Sequence, residues 1–236
     1  VAAETPRSGS GRRSGSALGD KQQLSEKVAS YVREAIMVGE LSAGSHIRTE
    51  HLAEELGVSA TPVREALMIL HSEGSVRWEP RRGYRVVPMT ARDVEDLFEV
   101  QAFIAGELAA RAAELLSDAE IERITKLQEE LEVAAHEGDA RHVDELNHEI
   151  HRTINRASDS HRMTTLLNLT VQYVPLNFFG TIRGWAEASA HDHSAIFDAL
   201  RNRDAAAART AMVDHIRHIG RLLIDHLRTR GDVLQS

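Results

Sequence analysis

Apolar positions in residues 48–72, RTEHLAEELGVSATPVREALMILHS, recur at three- and four-residue spacing: Leu52 and Leu56, then Val63, Ala66, Leu67 and Leu70. This spacing predicts two short helices, each with one apolar face. Gly57 marks the turn between them, Ser59 stands where it can cap the second helix, and Pro62 falls near its first position, where a missing N–H costs nothing. Helices this short do not stand alone and must rest on another element. A preceding helix over about residues 21–38 supplies it, with Leu24, Val28, Tyr31, Ala35 and Ile36 on its stripe and Gly39 at its end. Downstream, RWEPRRGYRVV places Val76, Trp78, Tyr84, Val86 and Val87 on either side of Pro80-Arg81-Arg82-Gly83, which predicts a β-hairpin with two positive charges at its tip.

From Thr90 onward no strand pattern is found. Helices are expected at about 91–116, 118–137, 139–157, 161–179, 186–202 and 205–229, the first two opened by the capping boxes Thr90…Asp93 and Ser117…Glu120. Short links between long amphipathic helices imply an antiparallel bundle. The expected fold is therefore mostly α: an N-terminal winged helix-turn-helix (three helices plus a β-hairpin wing) and a C-terminal all-α antiparallel bundle of six to seven helices. The expected division is a disordered Gly/Ser-rich tail over 1–20, a first domain over 21–89 and a helical domain over 90–231.

A length of 236 residues with 42% apolar content suits two modest domains with ordinary cores. The formal net charge of −8 argues at first against a nucleic-acid partner. The charge is unevenly placed, however: residues 1–89 hold 12 Lys and Arg against 11 Asp and Glu, and residues 90–236 hold 16 against 25. The acidity belongs to the helical domain, and DNA affinity depends on a local basic face rather than on the total. Absence of cysteine excludes disulfides, thiolate metal sites and cysteine nucleophiles, and accords with a reducing cytoplasm. The first twenty residues lack the apolar core of a signal peptide, and the charge-free run Met163–Ile182 is too studded with Thr, Asn and Gln to suit a membrane span.

Two groups of residues carry candidate chemistry. Ser59, Thr61, Arg64 and Glu65 face outward at the leading end of the second short helix, the end that a helix-turn-helix inserts into the DNA major groove, and Arg81 and Arg82 offer charge to phosphates. Ten of the thirteen histidines lie in the helical domain. Asn147 and His151 are four apart and so share a helix face; His193 and His215 lie on the fifth and sixth expected helices. Facing helices of a bundle can build a metal site from such residues, although surface or hydrogen-bonded core histidines account for the same spacing.

LAEELGVSATPVREAL, with a glutamate-glycine pair and PRRGYRV after it, resembles the winged helix-turn-helix of GntR-type bacterial transcription regulators over residues 24–88. ELNHEIHRTINRASDS, HDHSAIFDALRNRD and AARTAMVDHIRHIGRLL resemble the signature segments of the all-helical FCD effector domain in the FadR-like branch of that family. The resemblance implies a divalent metal of the Zn, Ni or Mn type held by Asn147, His151, His193 and His215, with a small carboxylate effector beside it. His148, His191 and His218 lie off the pattern and are expected at the surface, with His148 the one that could compete as a ligand. Where the family often has arginine in VS-TPVREAL this chain has Ala60, which removes a guanine-reading side chain; where it often has Arg and then Glu in the first bundle helix, this chain has Gln101 and Ala105, so that Arg183 or another side chain must steady the ligand.

An amide oxygen at 147 leaves a divalent cation its full charge, which favours an anionic effector. The expectation is a cytoplasmic homodimeric repressor that binds an operator in double-stranded DNA and is not an enzyme. Its alternatives are a metal-dependent hydrolase or lyase fused to a DNA-binding module, and a ligand-free dimerisation bundle. No general base of the H-E-x-x-H kind accompanies the histidines.

Overall fold

The computed structural model describes residues 14–171, 173, 179–182, 184–229 and 234–235. They divide into two compact units: residues up to Val32 with Gly44–Val87, and Arg33–Ala43 with Pro88 onward. Residues 33–43, expected in the first domain, thus belong to the second unit; Met37 is part of its core.

The first unit contains the start of helix α1 (Ser14–Met37), strand β1 (His46–Ile47), helices α2 (Thr49–Glu55) and α3 (Ala60–Ser72), and strands β2 (Val76–Glu79) and β3 (Gly83–Val86). Helix α1 begins seven residues before the expected start, so residues 14–20, expected to be disordered, are helical; residues 1–13 of that tail lie outside the described residues. Ala17, Leu18 and Lys21-Gln22-Gln23 are good helix formers, and no proline interrupts them. Of the apolar positions read from the sequence, Leu52 on α2 and Val63, Ala66, Leu67 and Leu70 on α3 are buried, while Leu56 is half-buried at the C-cap of α2 and Ala53 is buried beside Leu52. Between the helices Gly57 takes φ +64°. Ser59 holds the extended conformation of an N-cap, but its side chain makes no capping hydrogen bond.

The hairpin β2–β3 pairs Trp78 with Tyr84 and Glu79 with Gly83. A third strand joins it, giving the order β1-β3-β2 with Ile47 opposite Tyr84. A two-residue strand has no readable period, which is why β1 escaped the sequence pattern. Gly83 is required at this crossing, since a Cβ there would lie 2.6 Å from the Ile47 carbonyl oxygen.

The second unit holds β4 (Met89–Thr90), α4 (Ala91–Leu115), α5 (Asp118–Glu137), α6 (Ala140–Ala157), α7 (His161–Val171), a 3-10 turn at Phe179–Thr181, α8 (Trp185–Arg201), α9 (Ala205–Thr229) and β5 (Leu234–Gln235). Both expected capping boxes are formed, Thr90 with Asp93 and Ser117 with Glu120. Helix α7 runs to Val171; of the rest of its expected span to 179, Tyr173 lies in a turn, Phe179 opens the 3-10 turn and the other residues lie outside those described, and β5 pairs with β4 in parallel beyond the expected end of the domain at 231.

Helices α4 and α9 form the spine. The face of α4 is built from Ala102, Ala105, Ala109, Ala112 and Ala113, all buried, so its backbone lies close to its neighbours. The approach leaves no spare room: a Cβ at Gly106 would sit 2.7 Å from Val213 Cγ2, and one at Gly220 would sit 2.7 Å from Phe98 Cγ. Two bidentate ion pairs flank the seam, Arg217 to Glu99 at 2.7 and 2.6 Å and Arg209 to Glu107 at 2.6 and 3.2 Å. Eight residues on along α4 correspond to eight residues back along α9, so the two run antiparallel. The apolar stripe of α6 (Val143, Leu146, Ile150, Ile154) enters the same core, which also contains Ile196 and Leu200 of α8.

Candidate functional site

In the first unit, Ser59, Thr61 and Arg64 lie exposed at the start of α3, and Arg81 and Arg82 lie exposed at the hairpin tip. Arg64 is held only loosely, 3.4 Å from Glu50, with most of its side chain in solvent. Arg81 adopts φ +65°, a left-handed conformation that turns the hairpin and sets its side chain at the tip. Ala60, the position without arginine, is half-buried beside them.

The second unit brings together His151 of α6, His193 of α8 and His215 of α9, whose ligand nitrogens all lie within 4.8 Å of one another. His151 Nε2 is 3.3 Å from His193 Nε2 and 3.2 Å from His215 Nε2. The outer nitrogens of the latter two are engaged. His193 Nδ1 donates to Gln128 Oε1 at 2.7 Å, and the amide is oriented for this because its Nε2 donates to Glu132. His215 Nδ1 faces Asp192 Oδ2 at 3.3 Å, and the same oxygen accepts from His218 Nδ1 at 2.8 Å. With protons fixed on Nδ1, the Nε2 lone pairs of His193 and His215 point inward, ready to ligate. Gln128 and Asp192 were not singled out from sequence, since each is one polar residue among many on a polar helix face.

Electrostatics keep the rings of His151 and His193 neutral. Burial, then the charge of His215 and His148, pushes His151 down to about 3. Burial and the neighbouring histidines push His193 well below its ordinary value. Asp192 feels burial raising its pKa, but hydrogen bonds from His215 and His218 outweigh it and hold the carboxylate low.

The residues fit a divalent cation. Metal–nitrogen bonds of about 2.0–2.1 Å set neighbouring ligand atoms roughly 2.8–3.4 Å apart in octahedral or tetrahedral shells, and the two Nε2 spacings at His151 fall in that range. Asn147, one turn before His151, has a buried Oδ1 with no hydrogen-bond partner among the described residues, as befits a metal-donor oxygen. The charge picture drawn from the neutral amide gains one correction: Asp192 supplies an anion behind His215, outside the ligand shell.

Beside the cluster lies a cavity of about 500 Å³ lined by Asn147, His151, His215 and the surrounding side chains of α4, α6 and α7. One face of α6 forms a polar wall: Asp144, Asn147, His148, His151, Arg152, Asn155 and Arg156 follow the i, i+3, i+4, i+7, i+8 pattern of one helix face. His148, expected at the surface, lines this wall, and His218 is tied to Asp192 rather than free. Gln101 also lines the cavity, but its amide donates to the Thr170 carbonyl at 3.0 Å. Arg183 lies outside the described residues. Among the described residues, Arg152 and Arg156 are the guanidinium groups that line the cavity, and continuing the helical face of Asn147 and His151 by one turn would have found them.

Comparison with known proteins gives the context. Residues 24–86 match the bacterial regulatory proteins of the gntR family, and residues 96–218 match the FCD domain. The HTH-type transcriptional regulator YdhC of Bacillus subtilis is 28% identical over 196 residues, covering 79% of this chain and 85% of that protein. A probable D-xylose utilization operon transcriptional repressor of Paenarthrobacter nicotinovorans is 27% identical over 80% of this chain and 85% of its own. The Glc operon transcriptional activator of Escherichia coli is 25% identical over 87% and 91%. Among solved structures, E. coli McbR/YncC shares the fold with a TM-score of 0.67 at 22% identity, over 86% of this chain and 98% of that one. These proteins are transcription regulators, which removes the hydrolase or lyase alternative. No helix among the described residues is long and apolar enough to cross a membrane. With a gntR-type reading head and an FCD domain over more than half its length, the chain belongs to the GntR family and is a DNA-binding transcription regulator of the FCD type.

Proposed function

We propose that this regulator is a cytoplasmic homodimeric repressor released from its operator by a small organic acid, which enters the α6-walled cavity and completes the shell of a divalent metal. The observation that carries the reading is the convergence of three Nε2 atoms and an unpaired amide oxygen on the edge of a cavity of about 500 Å³. That volume lies within the ordinary range of small-molecule sites, which favours a ligand-binding domain over a bundle serving only to dimerise. His151, His193 and His215 would hold the ion through Nε2 and Asn147 through Oδ1; the metal would supply a positive anchor for a carboxylate. Arg152 and Arg156 add positive charge to the same wall, in the role for which Gln101 is unsuited.

Dimerisation is supported by large apolar side chains left in solvent on the adjoining helices α4 and α7: Val100, Phe103, Leu166 and Leu169 are each at least half exposed. A pair of reading heads also matches the two half-sites that such motifs read. In the first unit, Arg64 would face bases or their flanking phosphates, with Ser59 and Thr61 beside it, while Arg81 and Arg82 would face the backbone. Release requires that the acid favour the arrangement that binds DNA poorly.

The test is operator selection from random DNA, followed by binding measurements with metal, without metal and with a panel of organic acids. Loss of acid response in His193→Ala and His215→Ala, together with loss of metal and with DNA binding retained, is the expected result. Full metal content in those variants, or an acid response independent of metal, would overturn the site. A relative that represses and one that activates both share this architecture, so the sign is read directly from a reporter placed behind the selected operator.

A further inference from the structure

Four of the buried polar side-chain atoms that lack a partner among the described residues belong to residues lining this one cavity: Asp144 Oδ2, Asn147 Oδ1, Asn155 Oδ1 and Trp185 Nε1. Three are oxygens and one is an N–H. A simple carboxylate ion brings no donor to them. Unpaired buried polar atoms are costly, and a site shaped for a ligand is where such a cost is repaid.

We infer that Asp144 is a specificity-determining residue whose free oxygen receives a hydroxyl of the effector, making the effector a hydroxylated carboxylic acid. The inference rests on the reading of the cavity as an organic-acid site. Asp144 lies on α6 one turn before Asn147, is 6% exposed, and has one oxygen occupied: Gly180 N donates to Oδ1 at 2.8 Å. The second oxygen has no partner among the described residues. The carboxyl is fixed in place, because the 3-10 turn that carries Gly180 presses against α6 so closely that a Cβ there would lie 2.3 Å from the Ala140 carbonyl oxygen.

The surroundings favour a hydroxyl over an ammonium. A divalent ion held at Asn147, one turn along α6 from Asp144, would repel an ammonium there. Burial pushes the Asp144 carboxyl up to about 7, against the Gly180 hydrogen bond, so near neutral pH it is held partly as the neutral acid, a better match for a neutral group that both donates and accepts. Trp185 Nε1 supplies the complementary donor for a ligand oxygen. A site built to hydrogen-bond a hydroxyl discriminates strongly against the analogue without it, because its own polar group is then left unpaired.

The experiment is calorimetry of the metal-loaded full chain with matched probes: malate against succinate, 3-hydroxybutyrate against butyrate, glycerate against propionate, and aspartate as the ammonium counterpart of malate. The expected result is that in at least one pair the hydroxy acid binds about tenfold or more tightly than its partner. In Asp144→Ala the affinities should come within about twofold through loss on the hydroxy side alone. Asp144→Asn, which keeps the shape and an acceptor oxygen, should retain most of the preference and serves as the variant least able to disturb folding. Equal affinities within every pair, a preference that survives Asp144→Ala, or aspartate binding better than malate would each overturn the assignment. Binding of acids without hydroxyl discrimination leaves the organic-acid reading standing and removes only this inference; binding of none of them by the metal-loaded protein overturns both.

Discussion

Gln128 on α5 and His193 on α8, 65 residues apart in sequence, are joined by a 2.7 Å hydrogen bond in which the imidazole Nδ1–H donates to the amide oxygen. The bond selects the tautomer of His193 that presents a bare Nε2 to the other two histidines. Replacing Gln128 by Leu should free the ring to rotate and to exchange tautomers. Metal affinity is expected to fall about 10- to 100-fold, the usual effect of removing a partner that orients a ligand. Competition against a chromophoric chelator measures it; unchanged affinity would show that His193 is held by packing alone.

The depressed basicity of His151 makes stability without metal depend on pH with a definite sign. Its folded value is about 3, against an ordinary 6.5 when unfolded. Between these values the unfolded chain binds the additional proton, so folding stability rises with pH across this window and is lost as pH falls through it. Thermal melts of the metal-free protein should therefore decline from pH 7 toward pH 4, and the decline should be shallower in His151→Asn. Melts of equal steepness in the two proteins would refute the burial of a neutral ring.

Arg64 and Arg81 differ in what they are placed to touch. Arg64→Ala should weaken binding to a selected operator by about 1–3 kcal/mol with less effect on random DNA, as for a lost base contact. Arg81→Ala should weaken all sequences and lower the slope of log affinity against log salt by about 0.9, the share of one phosphate. Ala60→Arg is expected to tighten binding to sites with a suitably placed guanine. Identical selected sites before and after that substitution would mean that position 60 does not read bases.

On the spine, Gly220→Ala places a methyl carbon 2.7 Å from the ring of Phe98, too close for the buried ring to accommodate without moving. A loss of about 1–3 kcal/mol is expected, the scale of overpacking a filled core. Denaturant titration reads it, and Gly220→Ala combined with Phe98→Leu should recover part of the loss.

What could be read from sequence tracks how many residues carry each signal. The long helices of the bundle and their two capping boxes were legible because period and cap coincide over many positions. The His cluster was legible because Asn147 and His151 share a face and His193 and His215 stand in matching segments. Strands β1, β4 and β5 were not, since two residues have no period. Nor were Gln128, Asp192 and Asp144: each acquires meaning only from a contact across helices, which no local pattern records. The capping role given to Ser59 was half right, its backbone taking the N-cap conformation while its hydroxyl stays unused.

The polar wall of the cavity comes from a single helix, Asp144 to Arg156 on α6, and this makes its heredity unusual. Each α-helical residue turns the chain by about 100°, so any one side chain along that face can be exchanged with the others left in register. One residue gained or lost between Asp144 and Arg156 would instead swing everything beyond it off the cavity and, where it falls before His151, carry that ring away from His193 and His215. Descendants of this sequence can change what the chamber accepts by substitution, one position at a time, but the length of α6 across these thirteen positions is closed to insertion and deletion. Variation in length is left to the connections at its two ends.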